Sequence, residues 1–550
     1  MTKALSLSSA SLLGALAAAV ALRLAGIHWG LPNTLNSDEP HLVNLAVSFG
    51  AGTLRPYALK YPTFWPYVLF AAYGAYFLVW SGFGLRRGVA DFAGWFAWHP
   101  GPFYLIGRLL SAAFSLAAVA LIYREEQEHD PRAVPWAALA LAVSPVAVEL
   151  AHSAKPDCLM FLCACLGWRY ALRVQRDGGR RAHWLSGLGF GLAAASQYTA
   201  APAFITLVVA HFLSRQQVRR RWLLEGAAAA VVGLFLAAPY VLLDWARVVD
   251  GMRDMQALMA LKSYSARLMV PLVLGNAWNF AGQGSIAGLA ALLGLALLLR
   301  REAGRALTLA AAPLLYIALL SLQKEGGWAR YMLAAFPGMA LLAAAGLEWA
   351  RARFRSGWAT AALLLLFLGP GAAIDVDMDR RMRLADTRAE AAAWLGAHVP
   401  PGATLLLDLP HASPDMPMTK AQALELAERT RAAGSPRARL YRGLADAHPG
   451  GGYRLLRLQR TARDLASGPR HVRLSQADAP MLDVQPGLSA ARAAGVDYVV
   501  TSDFGATRAI LPELSLFFDE LEAQGRLLAS FTPRPDESAG PTLRVFALPR

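Results

Sequence analysis

Acidic and basic side chains gather in a few short stretches between long apolar runs. The first stretch is Asn36-Ser37-Asp38-Glu39-Pro40-His41, followed downstream by Lys60-Tyr61-Pro62. A second is His152-Ser153-Ala154-Lys155-Pro156-Asp157. A third holds Asp244, Arg247, Asp250, Arg253, Asp254, Lys262 and Arg267, and a fourth holds Lys324, Glu325, Arg330 and Tyr331. Two carboxylates with several cations are the parts needed to move a group off a phosphate. A carboxylate can take the proton of an incoming hydroxyl, and cations can stabilise the departing phosphate. Each residue also has a plainer reading. Asp38 precedes Pro40 and Asp157 opens a helix-like run, so both fit helix N-caps worth about 1 kcal/mol. Lys60 and Arg330 fit interfacial anchors. What favours chemistry is co-location on one face, and that depends on the elements carrying these stretches.

Those elements belong to a membrane. Among 550 residues, AVILMFWYC supply 56% and DEKR only 17%, against about 25% charged residues in soluble proteins. Mean hydropathy is +0.35. The net charge of +15 would suit nucleic acid if it were spread over a soluble surface. It sits instead in short clusters between apolar runs, which removes that argument. Cys158, Cys163 and Cys165 lie in one apolar run without metal-ligand spacing, so they read as small buried side chains. Gly187-x-Gly189-x-Gly191 follows no strand and lies inside an apolar span, so close helix packing is expected rather than nucleotide binding. There is no Walker A sequence and no zinc-type histidine spacing.

The first apolar segment, 8–28, follows Lys3 and reads as an uncleaved signal anchor, with Arg23 placed to snorkel outward. Further spans are predicted at about 105–123, 133–151, 158–174, 184–199, 201–214, 222–243, 286–299, 306–322, 331–348 and 358–375. Basic clusters at Arg169–Arg181, Arg215–Arg221, Arg300–Arg305 and Arg351–Arg355 belong in the cytoplasm by the positive-inside rule. Residues 184–214 must then be a hairpin turning near 200–202. A crossing at 63–81 would break this count, so that segment is expected to be juxtamembrane or re-entrant. Its Tyr61, Trp65, Tyr67, Tyr73, Tyr76 and Trp80 suit a membrane interface. The stretch 247–261, apolar at helical spacing between charges, reads as an interfacial helix or, more sharply, a lid.

Composition changes after Pro370. Residues 376–550 alternate helix-like stretches (388–397, 421–433, 487–495, 513–524) with strand-like ones (404–407, 453–458, 498–501, 527–531, 543–548), which reads as an α/β domain outside the membrane. The expected fold class is an α-helical multi-pass membrane protein of about eleven spans plus juxtamembrane helices. Residues 1–375 form its membrane domain and 376–550 its extracytoplasmic α/β domain. The N-terminus is expected in the cytoplasm of a cell (inner) membrane.

Asp38-Glu39 after the first span, Lys60-x-Pro62, the Pro156-Asp157 turn, Ser196-Gln197-Tyr198-Thr199 and Arg330-Tyr331 with Pro337 together resemble the integral-membrane GT-C glycosyltransferases of the family 39 type. Relatives in that group include protein O-mannosyltransferases and lipid A aminoarabinose transferases. The resemblance covers about residues 8–375. It implies inverting transfer of a sugar from a polyprenyl-phosphate donor to a lipid, glycan or protein acceptor at the outer membrane face, without nucleic acid. Carried over, Asp38 is the general base, Lys60 holds the donor phosphate, and Arg330 or Arg267 assists. Asp157 orients the acceptor or the surroundings of Asp38. Glu39, His41, Lys155 and Tyr331 support the site. Leu59 stands where the aminoarabinose transferases carry a Glu that can bind a metal, which speaks against a divalent metal cofactor. The competing reading is a multi-pass lipid or solute transporter or flippase. Against it, the spans predicted from 286 onward lack mid-span ionisable residues.

Overall fold

The computed structural model describes residues 7–549 apart from 33–34, 37, 83–86, 260–265, 280–281, 324–328, 355, 409–411, 436, 460–477 and 504–513. Lys262, Lys324 and Glu325 therefore lie outside the described residues, as do the side chains of Asp254 and Arg267. By internal contact the chain divides into two compact units. The first comprises Met1–Ile27, Arg55–Val68 and Gly107–Asp379, and the second His28–Leu54, Leu69–Ile106 and Arg380–Arg550.

The first unit is helical. Among the described residues, four helices of the chain are long and apolar enough to cross a membrane: Gly101–His129, Ala303–Leu322, Ala329–Phe354 and Gly357–Met382. Leu7–Leu24, Asp157–Asp177, Arg180–Ser196, Arg220–Ala237 and Ser285–Arg301 supply further apolar helices at predicted span positions. The hairpin expected near 200–202 is a 3-10 helix, Tyr198–Phe204, running into Ile205–Phe212. The glycine stripe packs helices, as its setting suggests. A Cβ on Gly187 would fall 1.9 Å from the carbonyl oxygen of Gly226, and one on Gly191 would fall 2.1 Å from that of Ala230. Only glycine lets these backbones approach so closely.

The basic clusters share one end of this unit. Arg173 pairs with Glu128 at 2.9 Å, Arg176 lies 3.9 Å from Glu125, and Arg215 pairs with Glu302 at 2.7 Å. Arg169 also contacts Glu128, and Arg305 contacts His129. Glu126 accepts from the backbone N–H groups of Ala137 and Ala138 at 2.8 and 2.9 Å, closing the start of the next helix.

Two expectations fail here, for one connected reason. The span predicted at 133–151 is broken into Trp136–Ala142 and Pro145–Ala151. Pro145 has no N–H to continue a helix, so carbonyls before it lose their partners. Arg23 does not snorkel. It is fully buried and donates to Leu141 O at 3.1 Å and Ala142 O at 2.8 Å, as well as to Ser115 Oγ at 2.8 Å and Ala19 O at 3.1 Å. The Gln283 amide donates to Ala140 O and Val143 O at 2.9 and 2.8 Å. The broken helix is thus completed by two polar side chains from elsewhere in the unit, as buried backbone groups demand. The final helix also runs past the predicted end at 375 and buries Asp375 and Asp379. Asp375 attracts Arg23, and Asp379 lies 3.6 Å from His152 Nε2.

Among the described residues, the second unit is built on a six-stranded sheet that runs, edge to edge, Met481–Asp483, Arg454–Gln459, Thr404–Leu407, Tyr498–Ser502, Leu543–Ala547, Arg526–Phe531. Its strands are β2 (Thr404–Leu407), β3 (Arg454–Gln459), β4 (Met481–Asp483), β5 (Tyr498–Ser502), β6 (Arg526–Phe531) and β8 (Leu543–Ala547). The first four in that order run parallel, and β8 is antiparallel to both β5 and β6. Short β1 (Ala385–Asp386) and β7 (Ser538–Ala539) pair separately. Along β2, Leu405 and Leu407 enter one core and Leu406 the other, so both faces are covered, as a parallel sheet requires. The helix Arg437–Asp446 and strand β4 are elements that the sequence reading did not identify.

The same unit holds an aromatic cluster around Phe103, whose ring centroid lies 5.1 Å from Tyr73, 5.4 Å from Tyr76, 5.1 Å from Phe92 and 4.8 Å from Phe96. The segment 63–81 is the helix Phe64–Trp80. Tyr73 is buried, and its hydroxyl donates to Phe103 O at 3.1 Å. Trp65, in the first unit, is fully buried. These two aromatics therefore pack inside protein, where a membrane interface was expected for them.

Candidate functional site

The Lys60 segment enters the first unit through contacts that fix its backbone. Arg55 donates to Asp244 Oδ2 at 2.8 Å, and Arg247 donates to Pro56 O at 2.7 Å. The Arg55 guanidinium holds the Asp244 carboxyl below its ordinary value of 3.8, the hydrogen bond being the largest cause. Leu59 is buried with Ala195, Ala237, Ala238, Val241 and Val248, and its carbonyl accepts from the Tyr198 hydroxyl at 3.3 Å. The helix Trp245–Met259 crosses directly over this point and contains residues 247–259 of the predicted interfacial stretch, whose 260–261 lie outside the described residues. A Cβ on Gly251 would lie 3.0 Å from the carbonyl group of Leu59 and from the Lys60 nitrogen. Lys60 itself is partly exposed, with its backbone held at this point.

Five residues beyond Lys60, at Trp65, the chain meets the second candidate stretch. The Trp65 indole donates to Ala154 O at 3.0 Å and stands edge-on to Phe114. Ser111 Oγ donates to Ser153 O at 2.7 Å. This pins the turn that carries Lys155 and Asp157, both of which are buried. Asp157 is not an N-cap: Pro156 occupies that position, and Asp157 is the first residue of the helix. Its Oδ1 is buried without a hydrogen-bond partner among the described residues. A carboxylate there is favoured by the helix dipole and keeps an acceptor lone pair for a ligand.

Arg330 and Tyr331 open the 3-10 helix Ala329–Ala335, whose Ala334 carbonyl accepts from Trp168 Nε1 at 2.9 Å. Arg330 stacks on Tyr331, its Cζ 5.2 Å from the ring centroid. Thr199 O accepts from the Tyr316 hydroxyl at 2.6 Å. Lys60, Lys155, Asp157 and Arg330 are thus all carried by the first unit. Arg267 lies on the helix Ala266–Trp278, where the charge spacing predicts no helix.

Asp38, Glu39 and His41 lie in the second unit. Asp38 stands at the N-cap position of the helix Glu39–Ser48, with Pro40 in the first turn, yet its side chain makes no capping hydrogen bond. Its own N–H instead donates to Asn36 Oδ1 at 3.0 Å. The capping explanation for Asp38 is therefore not the one its geometry supports. Glu39, His41 and Asn44 are buried. Glu39 lies close enough to raise the charge-sensitive Tyr73 hydroxyl, after burial and Tyr104.

Leu59 fits its apolar pocket and offers no ligand to a metal. Among the described residues, no group of three or more His, Cys, Asp or Glu side chains is arranged to hold one.

Residues 105–245 match the family model described as dolichyl-phosphate-mannose-protein mannosyltransferase. A search of curated proteins gives no match. Among solved structures, ArnT from Cupriavidus metallidurans bound to undecaprenyl phosphate is similar at 14% identity and TM-score 0.51, covering 97% of each chain. Its apo form gives TM-score 0.52 at 14% identity, with 98% of each chain covered. The Archaeoglobus fulgidus oligosaccharyltransferase in the apo form is similar at 11% identity and TM-score 0.51, over 97% of this chain and 74% of that one. At such identities the likeness is one of fold. In fold, and in the family match within its helical unit, this chain is similar to the integral-membrane GT-C glycosyltransferases, the group of protein O-mannosyltransferases and lipid A aminoarabinose transferases.

Proposed function

We propose that the chain transfers a sugar from a polyprenyl-phosphate donor to an acceptor hydroxyl at the outer face of a cell membrane, with inversion. The observation that carries this reading is the likeness of fold over 97% of both chains to ArnT solved with undecaprenyl phosphate. The residue chemistry is consistent with it.

In this reading the acceptor oxygen attacks the anomeric carbon opposite the phosphate while its proton passes to the Asp38 carboxylate. The bond from the anomeric carbon to the phosphate oxygen breaks, and its electron pair leaves on polyprenyl phosphate. Lys60, with Arg330 or Arg267, balances that charge, a contribution realised mainly as the bond breaks. Asp157 orients the acceptor or the surroundings of Asp38, and Lys155, Tyr331, Glu39 and His41 support the two ends. No step is routed through a metal. The end of the first unit that carries the arginine clusters faces the cytoplasm, with about eleven crossings, an inward N-terminus and an external C-terminal domain. Cysteine labelling that placed Arg87 and Arg219 on the same side would overturn that topology.

The test uses the purified full-length protein in detergent with radiolabelled polyprenyl-phosphate sugars. Asp38→Asn is expected to lower release of polyprenyl phosphate by about 10²–10⁴-fold, the usual worth of a general base, with folding unchanged. A variant that kept most of its turnover would remove Asp38 from the role. Movement of donor across vesicles without bond cleavage would support the transporter instead.

A further inference from the structure

The second unit contains a cleft of about 1520 Å3, larger than the roughly 300–1,000 Å3 typical of pockets for single small ligands. One wall comes from the helices Phe64–Trp80 and Val89–Trp98, and the other from Lys420–Ala432 and Arg437–Asp446. The walls meet where Gly94 and Gly443 face each other, a Cβ on Gly443 falling 3.5 Å from the Gly94 Cα. The opening is therefore part of how these helices pack.

Its lining combines two chemistries. Trp80, Trp95 and Trp98 are each partly exposed on one wall. Trp80 and Trp95 are tilted together at 5.9 Å between centroids, and Trp95 is locked by donating to the Tyr76 hydroxyl at 3.0 Å. Trp95 also packs on His99 with ring centroids 4.0 Å apart and Trp98 stands edge-on to His448, so the exposed parts of these indoles are held rigid and have little entropy to lose on binding. The charged residues are arranged as planar hydrogen-bonding groups around them. On the opposite wall Arg431 pairs with Glu428, and Arg442 pairs with Asp446 at 3.2 Å. Arg87 lies over the Trp80 ring at 4.8 Å. Arg439 is exposed into the same space.

Aromatic faces flanked by guanidinium and carboxylate groups match the two-sided character of a sugar. The C–H face of a pyranose stacks on an indole, while its ring of hydroxyls takes hydrogen bonds from forked donors and paired carboxylates. A lipid tail would leave the four arginines and their partners unmatched, and a compact phosphate would leave the indoles unused. The size favours several linked rings over one. Resting on the transferase reading above, we propose that this cleft binds the carbohydrate portion of the acceptor, holding a glycan chain on Trp80, Trp95 and Trp98 with Arg439 and the two ion pairs gripping its hydroxyls.

The test is direct binding to the purified full-length protein in detergent. Biotinylated maltotetraose, chitotetraose, mannotetraose and oligogalacturonate serve as probes, read by biolayer interferometry. At least one probe is expected to bind, and Trp95→Ala and Arg439→Ala are each expected to weaken it tenfold or more. Because Trp95 also packs against its neighbours, the exposed Arg439→Ala keeps the test independent of folding. Absence of binding by every probe, binding unchanged in both variants, or a peptide or anionic lipid vesicle competing while the glycans do not, would each overturn the proposal. Binding is read without turnover, so a wild-type protein that releases no polyprenyl phosphate would fail the transferase reading while glycan binding at the cleft is scored separately.

Discussion

Arg23 offers the sharpest test of how the first unit holds together. Replacing it in Arg23→Met removes four donated hydrogen bonds and strands Asp375, which is fully buried with neither carboxylate oxygen hydrogen-bonded among the described residues. In membrane proteins such hydrogen bonds average about 0.6 kcal/mol, so four contribute roughly 2 kcal/mol. Asp375 feels the charge of Arg23 without touching it among the described residues, so the about 3–5 kcal/mol lost when a contacting buried pair is broken is an upper bound on the total. Arg23→Met should therefore destabilise by more than the roughly 2 kcal/mol hydrogen-bond share and by no more than about 5 kcal/mol. Asp375→Leu added to it removes the stranded carboxylate and should return the total to roughly 2 kcal/mol, the hydrogen-bond share. Unfolding in mixed micelles titrated with SDS, followed by circular dichroism, measures both. Additive single-variant effects, or an Arg23→Met protein within 1 kcal/mol of wild type by that scale, would refute the assignment of Arg23 as the partner of both Asp375 and the broken helix.

Gly251→Val should push the helix off Leu59 and Lys60 and lower transfer at least tenfold, with the loss showing as a raised KM for the polyprenyl-phosphate donor in steady-state kinetics. Gly187→Val should prevent the approach of Arg180–Ser196 to Arg220–Ala237 and reduce the folded yield, seen as lost monodispersity on size exclusion. The Arg55–Asp244 pair sets a pH window. Its carboxyl is depressed on folding, so the pair contributes fully above the ordinary value of 3.8 and is lost only as pH falls through the lower folded value. Protection factors of the amides in 55–60, corrected for intrinsic exchange, should accordingly be steady from pH 8 to about 5 by that linkage, whereas Asp244→Asn should lower them throughout.

Much of this architecture is written in local pattern. The strand Thr404–Leu407 is legible because a short continuous apolar run, too short for a helix, lies between turn signals, and the glycine stripe at 187–191 is legible because small residues at short spacing in an apolar run have few other uses. The break at Val143–Ser144 is not legible in that way. Hydropathy averages over Pro145, and the partners that make the break tolerable, Arg23 and Gln283, lie more than a hundred residues away in opposite directions. The helix Ala266–Trp278 was missed because Pro271 and nearby charges resemble a loop. Of the candidate site, residue types and their stretches could be named from spacing. Sequence could not show that Asp157 follows the cap position, nor that Gly251 bears on Lys60, since both depend on contacts between distant segments.

That last contact also sets how the helix Trp245–Met259 is turned about its own axis. With Gly251 pressed on main chain and Val248, almost one turn earlier, fully buried, Met252 is directed outward at 40% exposure. Successive residues on a helix differ by about 100°, so one bare α-carbon fixes the azimuth of fifteen residues. A rod seated in this manner has no freedom to roll. Rolling it would drive a side chain into that main chain and pull on the bonds that Arg55 and Arg247 make beside it.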